Sequence, residues 1–331
     1  MSHNLGKKAD GSASMFYVGN EKPWHSLGTK LDNPATAAEA IIAAGLDWTV
    51  EKRVLRYPIK REDGTMDLSG IVAHAYTTVR SDTQESLGIV GERYTVLQNK
   101  DAFSFFDAIV GEKSAVYHTA GALGCGEKVW LLAKLPGHIK VTKDDVVEKY
   151  LLLSNSHDGT SAVQVLWANL RVVCSNTLNA AISGANDINR LRHTVSIGMK
   201  VDEVRKNLGI ISSYYEQFES LSQRMTQVQV NKKSLNEFFQ KIGIVTKDED
   251  DKLSTRAENI LHKVTQLFEH GKGNDIPGVK GTVWAAYNSV TEYADYVRVS
   301  RGENNRAKSI LYGSGAQLKQ RAWNESVAMI K

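Results

Sequence analysis

The sequence predicts an α+β protein, with a largely antiparallel sheet and helices in the N-terminal half and a helical C-terminal half. Three observations carry this. Short β-branched and aromatic runs, separated by turn dipeptides, fill the chain up to about residue 185, and many strands joined by short turns pair antiparallel. Beyond Ser183-Gly184-Ala185-Asn186 the apolar residues recur at spacings of three and four, the period of an amphipathic helix. The length of 331 residues is enough for two domains. The expected division is residues 1–190 as an α+β domain and 191–331 as a mainly helical domain with a basic C-terminal segment.

The elements follow in order. Ala35 to Ala44 is alanine-rich and ends at Gly45, a helix with a glycine stop. Trp48 to Ile59 is a strand that ends near Asp63-Gly64, a hairpin signal, and Ile71 to Val79 is its partner. Leu87 to Val90 and Tyr94 to Leu97 are short β-type runs. Asp101 to Val110 sets Phe103, Phe106 and Ile109 at helical spacing. Ala115 to Thr119 and Lys128 to Leu135 resume the sheet. Tyr150 to Ser154 and Ala162 to Val173 are its longest strands, joined by His157-Asp158-Gly159-Thr160. Val201 to Met225, Leu235 to Ile242, Ala257 to Phe268 and Thr282 to Val299 are helices, with a charged loop at Lys247 to Lys252.

Composition excludes several classes. Apolar residues make up 42% and charged residues 24%, ordinary for a globular chain. No apolar run approaches the roughly 18 residues of a membrane span. Met1 to Asp10 is polar and lacks the apolar core of a secretory signal. The only cysteines, Cys125 and Cys174, are far apart and outside any metal-ligand spacing. A cytoplasmic protein without membrane contact, metal or cofactor is expected. No P-loop, HExxH, CxxC or GxSxG pattern occurs, so no enzymatic activity is expected. Gly124-Cys125-Gly126 lacks the third glycine of a dinucleotide site and reads as a hairpin turn. The acidic run Asp248 to Asp251 offers metal ligands only from a loop.

The net charge of +4 is unevenly placed. Residues 298–331 hold Arg298, Arg301, Arg306, Lys308, Lys319, Arg321 and Lys331 against Glu303 and Glu325, while the rest of the chain is close to neutral. Such a segment attracts phosphates, or is simply a solvated helical tail. On the Thr282–Val299 helix Asn288, Thr291, Asp295 and Arg298 align as a polar stripe. With Trp284 and Tyr287 nearby, the stripe could stack a base and read its edge, or could face solvent over a tyrosine core. Gly313-Ser314-Gly315 leads into a helix bearing Lys319 and Arg321, where backbone amides could form an anion nest or a plain joint. Arg171-Val172-Val173-Cys174-Ser175-Asn176 reads as a strand entering a helix. Its capped start could hold an anion beside Arg171 or be ordinary capping. His157 beside Asp158 could do acid–base chemistry, but Asp-Gly between apolar runs signals a turn.

Two blocks carry a family resemblance: Pro23-Trp24-His25-Ser26-Leu27-Gly28-Thr29 and Gly281-Thr282-Val283-Trp284-Ala285-Ala286-Tyr287-Asn288-Ser289-Val290-Thr291-Glu292-Tyr293-Ala294-Asp295. The chain resembles the phage/plasmid-like protein family, catalogued as domain of unknown function 932. The resemblance implies a mobile-element origin and a cytoplasmic protein, without an activity. The leading expectation is therefore a protein of phage or plasmid DNA metabolism that binds nucleic acid, single-stranded DNA foremost, in support of annealing or recombination. Arg171, Arg298, Arg301, Arg306, Lys308, Lys319 and Arg321 would contact phosphates, and Trp284, Tyr287 and Asn288 would meet bases. A homo-oligomer, in a ring, accompanies that expectation. The alternative is a non-enzymatic interaction protein acting on a host protein complex or defence system.

Overall fold

A computed structural model of the chain describes residues 5–8, 10–18, 27–33, 35–110, 116–171, 176–178, 190–193, 211–246, 252–298, 309–310 and 313–331. The architecture is α+β, with mostly antiparallel sheets and the helices mainly in the C-terminal half. Two compact units share the chain. One comprises Met1–Lys134, Leu152–Leu166 and Asp187–Leu208, and the other Leu135–Leu151, Trp167–Asn186 and Gly209–Lys331. The expected single boundary at 190/191 is thus replaced by several crossings, because the long strands after residue 128 contribute to both units.

The larger sheet contains β1 (Met15–Val18), β2 (Thr29–Leu31), β6 (Val116–Leu123), β7 (Lys128–Lys140), β8 (Val146–Ser156), β9 (Val163–Arg171), β10 (Asn176–Leu178) and β11 (Arg190–Leu191). Its order is β10-β9-β8-β7-β6-β1-β2, with β11 also on β9. β1 and β2 pair in parallel, while β1–β6, β6–β7, β9–β10 and β9–β11 pair antiparallel. Tight turns explain the antiparallel meander. Gly124-Cys125-Gly126 closes β6 onto β7, with Gly124 and Gly126 at φ of 64° and 119°, a region glycine enters without penalty. The turn after β8 is built by Asp158, whose carboxylate accepts from the Thr160 amide at 3.0 Å and its hydroxyl at 2.7 Å. The hairpin reading of both segments therefore holds.

In the first unit, α1 (Ala37–Ala44) packs on β1 and β6 and against α2 (Asn99–Val110). A capping box starts α1, the Thr36 hydroxyl taking the Glu39 amide while the Glu39 carboxylate takes the Thr36 amide; left-handed Gly45 ends it. Phe16, Ala40, Leu46, Phe106, Ala120 and Leu131 are fully buried there. A second sheet of three strands holds β3 (Val50–Lys60), β4 (Met66–Arg80) and β5 (Ser86–Gly91), in that order.

The second unit is a helical assembly of α3 (Ile211–Gln227), α4 (Lys232–Lys241), α5 (Thr255–His270), α6 (Val283–Glu292) and α7 (Ser314–Met329). A π-helix, Tyr293–Val297, continues α6 directly. Every residue from Val283 to Thr291 is buried, so α6 is the central rod of this core. Phe218 of α3 stacks on Trp323 of α7 at 4.8 Å, and Trp284 packs tilted against Tyr287 at 5.6 Å.

Candidate interaction arm and the predicted nucleic-acid residues

The residues expected to meet bases lie inside the helical core. Trp284 and Tyr287 are fully buried, and the Trp284 indole N–H donates to Asp145 Oδ2 at 2.8 Å. Asn288 is buried and its amide donates to the Trp284 carbonyl at 2.8 Å. Thr291 of the polar stripe likewise returns its hydroxyl to the helix, donating to the Asn288 carbonyl at 2.9 Å, as the neighbouring Ser289 does to Ala286 at 2.7 Å. Base stacking by Trp284 or Tyr287 is therefore corrected to core packing, because no open ring face remains. Tyr287 has a phenol pushed well above its ordinary pKa by burial, with Tyr214 and Asp295 adding to the shift.

The basic residues divide. Lys319 is fully buried, and its ammonium donates to Asp295 Oδ1 at 2.8 Å. The π-helix brings Asp295 to that meeting, which takes Lys319 away from any phosphate. Arg298 is half-buried at the end of the π-helix. Arg321 is exposed and spends its Nε–H on the Ile242 carbonyl at 2.7 Å. Arg301, Arg306 and Lys308 lie outside the described residues, as do Trp24 and His25. The glycine nest is also occupied, because the Gly315 amide donates to the Ser309 hydroxyl at 3.2 Å and the Gly313 amide to the Ser309 carbonyl at 3.2 Å.

The expected helix start after Arg171 is corrected to a strand. Asn176–Leu178 is extended and pairs antiparallel with β9 in the register Asn176↔Arg171, so it is not the first turn of a helix. Residues 172–175 lie outside the described residues.

The exposed chemistry lies elsewhere, on a ribbon that periodicity read as ordinary strands. β5 pairs with β4 only over Ala75 to Val79. Beyond that, β3 and β4 continue as a two-stranded arm to the pair Lys60↔Met66. Asp63 makes the tip, accepting from the Thr65 amide at 2.9 Å and hydroxyl at 2.6 Å beside Gly64 at φ 83°. Five large apolar residues on the arm, Tyr57, Ile59, Met66, Leu68 and Ile71, are 42–64% exposed, and Val54, opposite Tyr76 at its base, is 44% exposed. A two-stranded ribbon is at best marginal in water, and apolar patches of several hundred Å² mark interaction sites.

Register fixes which residues share a face. Arg56 lies beside Ile71, and Lys60 beside Met66. Arg53 and Arg61 are held by Glu51 and Asp67. The free edge of β3 is guarded by Pro58, by charged residues and by register shifts at Val54/Arg56 and Tyr57/Ile59. These are the devices that block edge-to-edge pairing on the β3 side of the arm. The signal in the sequence was the run Val54, Leu55, Tyr57 and Ile59, whose apolar residues fall on both sides of a period-two strand.

Among the described residues no helix is long and apolar enough to cross a membrane, and no cluster of three His, Cys, Asp or Glu side chains is placed to hold a metal ion. No curated protein and no solved structure matches the chain. A family model does match, over residues 86–311, which begins after the arm and takes in α2 to α6 and the π-helix. Since that span is more than half of the chain, the protein belongs to the family described as Domain of unknown function (DUF932).

Proposed function

We propose that this chain is a non-enzymatic interaction protein that docks on another protein through the β3–β4 arm. The observation that supports the reading is the concentration of five exposed apolar side chains on a two-stranded ribbon, with Val54 exposed at its base. Tyr, Met and Arg, all present here, are the residue types enriched where proteins meet. Arg56 and Lys60 beside Ile71 and Met66 call for an apolar groove with an acidic rim on the partner. A host protein complex, met in the cytoplasm, is the class of target that a phage/plasmid-like protein suggests.

A second reading, single-stranded nucleic-acid binding in support of annealing or recombination, keeps one specific support. Arg321 is exposed in the chain's most basic segment, together with the sequence positions Arg301, Arg306 and Lys308. It has lost Lys319, Trp284 and Tyr287, which the core consumes.

The test places a photo-crosslinking residue at position 68 in host cells. It is paired with anisotropy of labelled single-stranded DNA at two salt concentrations. One discrete protein adduct is expected, abolished by Met66→Ser/Ile71→Ser and insensitive to moderate salt. Absence of a protein adduct, together with DNA binding that falls steeply with salt and depends on Arg321, overturns the docking reading in favour of the second. Light scattering of the purified chain separates a second copy from a different partner.

A further inference from the structure

The two sides of the β3–β4 arm differ in chemistry. Residues of β3 alternate sides, and cross-strand partners share one. Both register shifts place their extra residues on β4, between Ile71 and Tyr76 and between Asp67 and Gly70, so β3 keeps its alternation. Tyr57 and Ile59 therefore share a first side with their partners Gly70 and Asp67. Arg56 and Lys60 share the second side with Ile71 and Met66. Leu68 joins the second side, because the extra β4 residue there sets Leu68 and Ser69 against Pro58, a bulge of two residues against one.

The first side is closed on itself. Arg53 pairs with Glu51 at 2.6 Å and Arg61 with Asp67 at 2.5 Å. The Tyr57 ring lies on Gly70, where a Cβ would fall 2.7 Å from its Cε2 and Cζ. The second side is open. It carries Met66, Leu68 and Ile71, the most exposed large apolar residues of the arm. Arg56 Nη1 donates to the Leu68 carbonyl at 3.4 Å, and neither Arg56 nor Lys60 has a carboxylate partner among the described residues. The second side also continues a face that is covered at its root. There it includes Thr78, opposite Lys52, and Val90, opposite Tyr76. Thr78 is fully buried and its hydroxyl donates to the His157 carbonyl at 2.8 Å, while Val90 is 5% exposed. The side that packs on the body of the first unit thus runs out past β5 as a sheet layer without a second layer over it.

We infer that the arm docks by this second side alone, and that the missing layer is an apolar strip of a different, acidic protein. The inference rests on the docking reading above and adds to it which side binds and what meets the cations. Covering Met66 and Ile71 draws their cross-strand neighbours Lys60 and Arg56 out of water, which is costly unless a carboxylate meets each. The two cations lie four residues, about 13 Å, apart along β3. The partner therefore presents carboxylates at about that spacing beside its apolar strip. A second copy is a poor occupant, because two such faces packed together set Arg56 and Lys60 against the same cations. An anionic membrane is disfavoured by Glu62 and Asp63 at the tip.

The full chain carries the photo-crosslinking residue at position 68 on the second side or at position 59 on the first, in host cells, and the adducts are mapped by mass spectrometry. One adduct is expected from position 68 and none from 59, with Asp or Glu in the crosslinked partner peptide. Arg56→Glu/Lys60→Glu, with folding checked by circular dichroism, should lower its yield at least about tenfold. Arg53→Ala, on the first side, should leave it unchanged. An adduct from 59 and not from 68 sinks the assignment of the side while docking by the arm stands. Loss of adduct from both positions removes the docking reading as well. A self-adduct at 68 gives the face to a second copy. Sedimentation with phosphatidylserine vesicles that the Arg56→Glu/Lys60→Glu change abolishes gives it to a membrane, and either result defeats the inference.

Discussion

The Lys319–Asp295 pair and the Arg80–Asp82 pair show how a charge can serve the interior. Lys319 is fully buried and Asp295 nearly so. Removing one member of such a pair leaves the other uncompensated in low dielectric and costs about 3–5 kcal/mol. Lys319→Ala should lower the unfolding free energy from urea titration by that order, which marks Lys319 as a core residue. Arg80 is 1% exposed, grips Asp82 with Nε and Nη2 at 2.6 and 2.8 Å, donates to the Cys125 carbonyl at 2.8 Å and lies 4.5 Å over the Trp48 ring. Partial burial raises the Asp82 pKa, but the hydrogen bond and charge of Arg80 outweigh it, and the net shift is downward. A carboxyl depressed in the folded state binds fewer protons than in the unfolded chain. Its contribution is therefore present above the unfolded value of about 3.9 and lost as pH falls through the folded one. Urea midpoints at pH 7 and pH 3 should show Asp82→Asn less stable at neutral pH and with a shallower acid loss than wild type.

Packing between elements adds constraints that composition does not display. Gly88 of β5 sits against the turn after β8. A Cβ there would lie 2.6 Å from Asp158 Cα and 2.9 Å from its carbonyl oxygen, both backbone atoms. Gly88→Ala should cost about 1–3 kcal/mol by overpacking, whereas Gly91→Ala, with nothing within 4 Å, should stay within about 0.5 kcal/mol. Comparison of urea midpoints for the two variants checks this. The arm has the opposite character: Met66 and Ile71 are exposed, so serine there should spare stability while removing the docking face. The helix α6 was legible as a helix, but its burial was not. Asn288, Ser289 and Thr291 return their donors to the carbonyls of their own helix, so polar side chains on this face do not imply solvent.

At the scale of the whole chain, the α+β class, the hairpin turns and the concentration of helices in the C-terminal half were determined by the sequence alone. They depend on local chemistry: period-two and period-3.6 patterns, Asp-Gly turns, caps and glycine stops. The family was also legible, from the Gly281–Asp295 block, and the family model covers that block. Only the tertiary structure decided which polar groups face water. It buried Trp284, Tyr287 and Lys319, turned Asn176 back onto β9, brought Asn155, His157 and His193 to one segment of backbone and left the β3–β4 arm uncovered. The reason is physical. Burial is a property of what packs over a residue from distant parts of the chain, and a strand or helix carries no local record of whether a second layer will cover it.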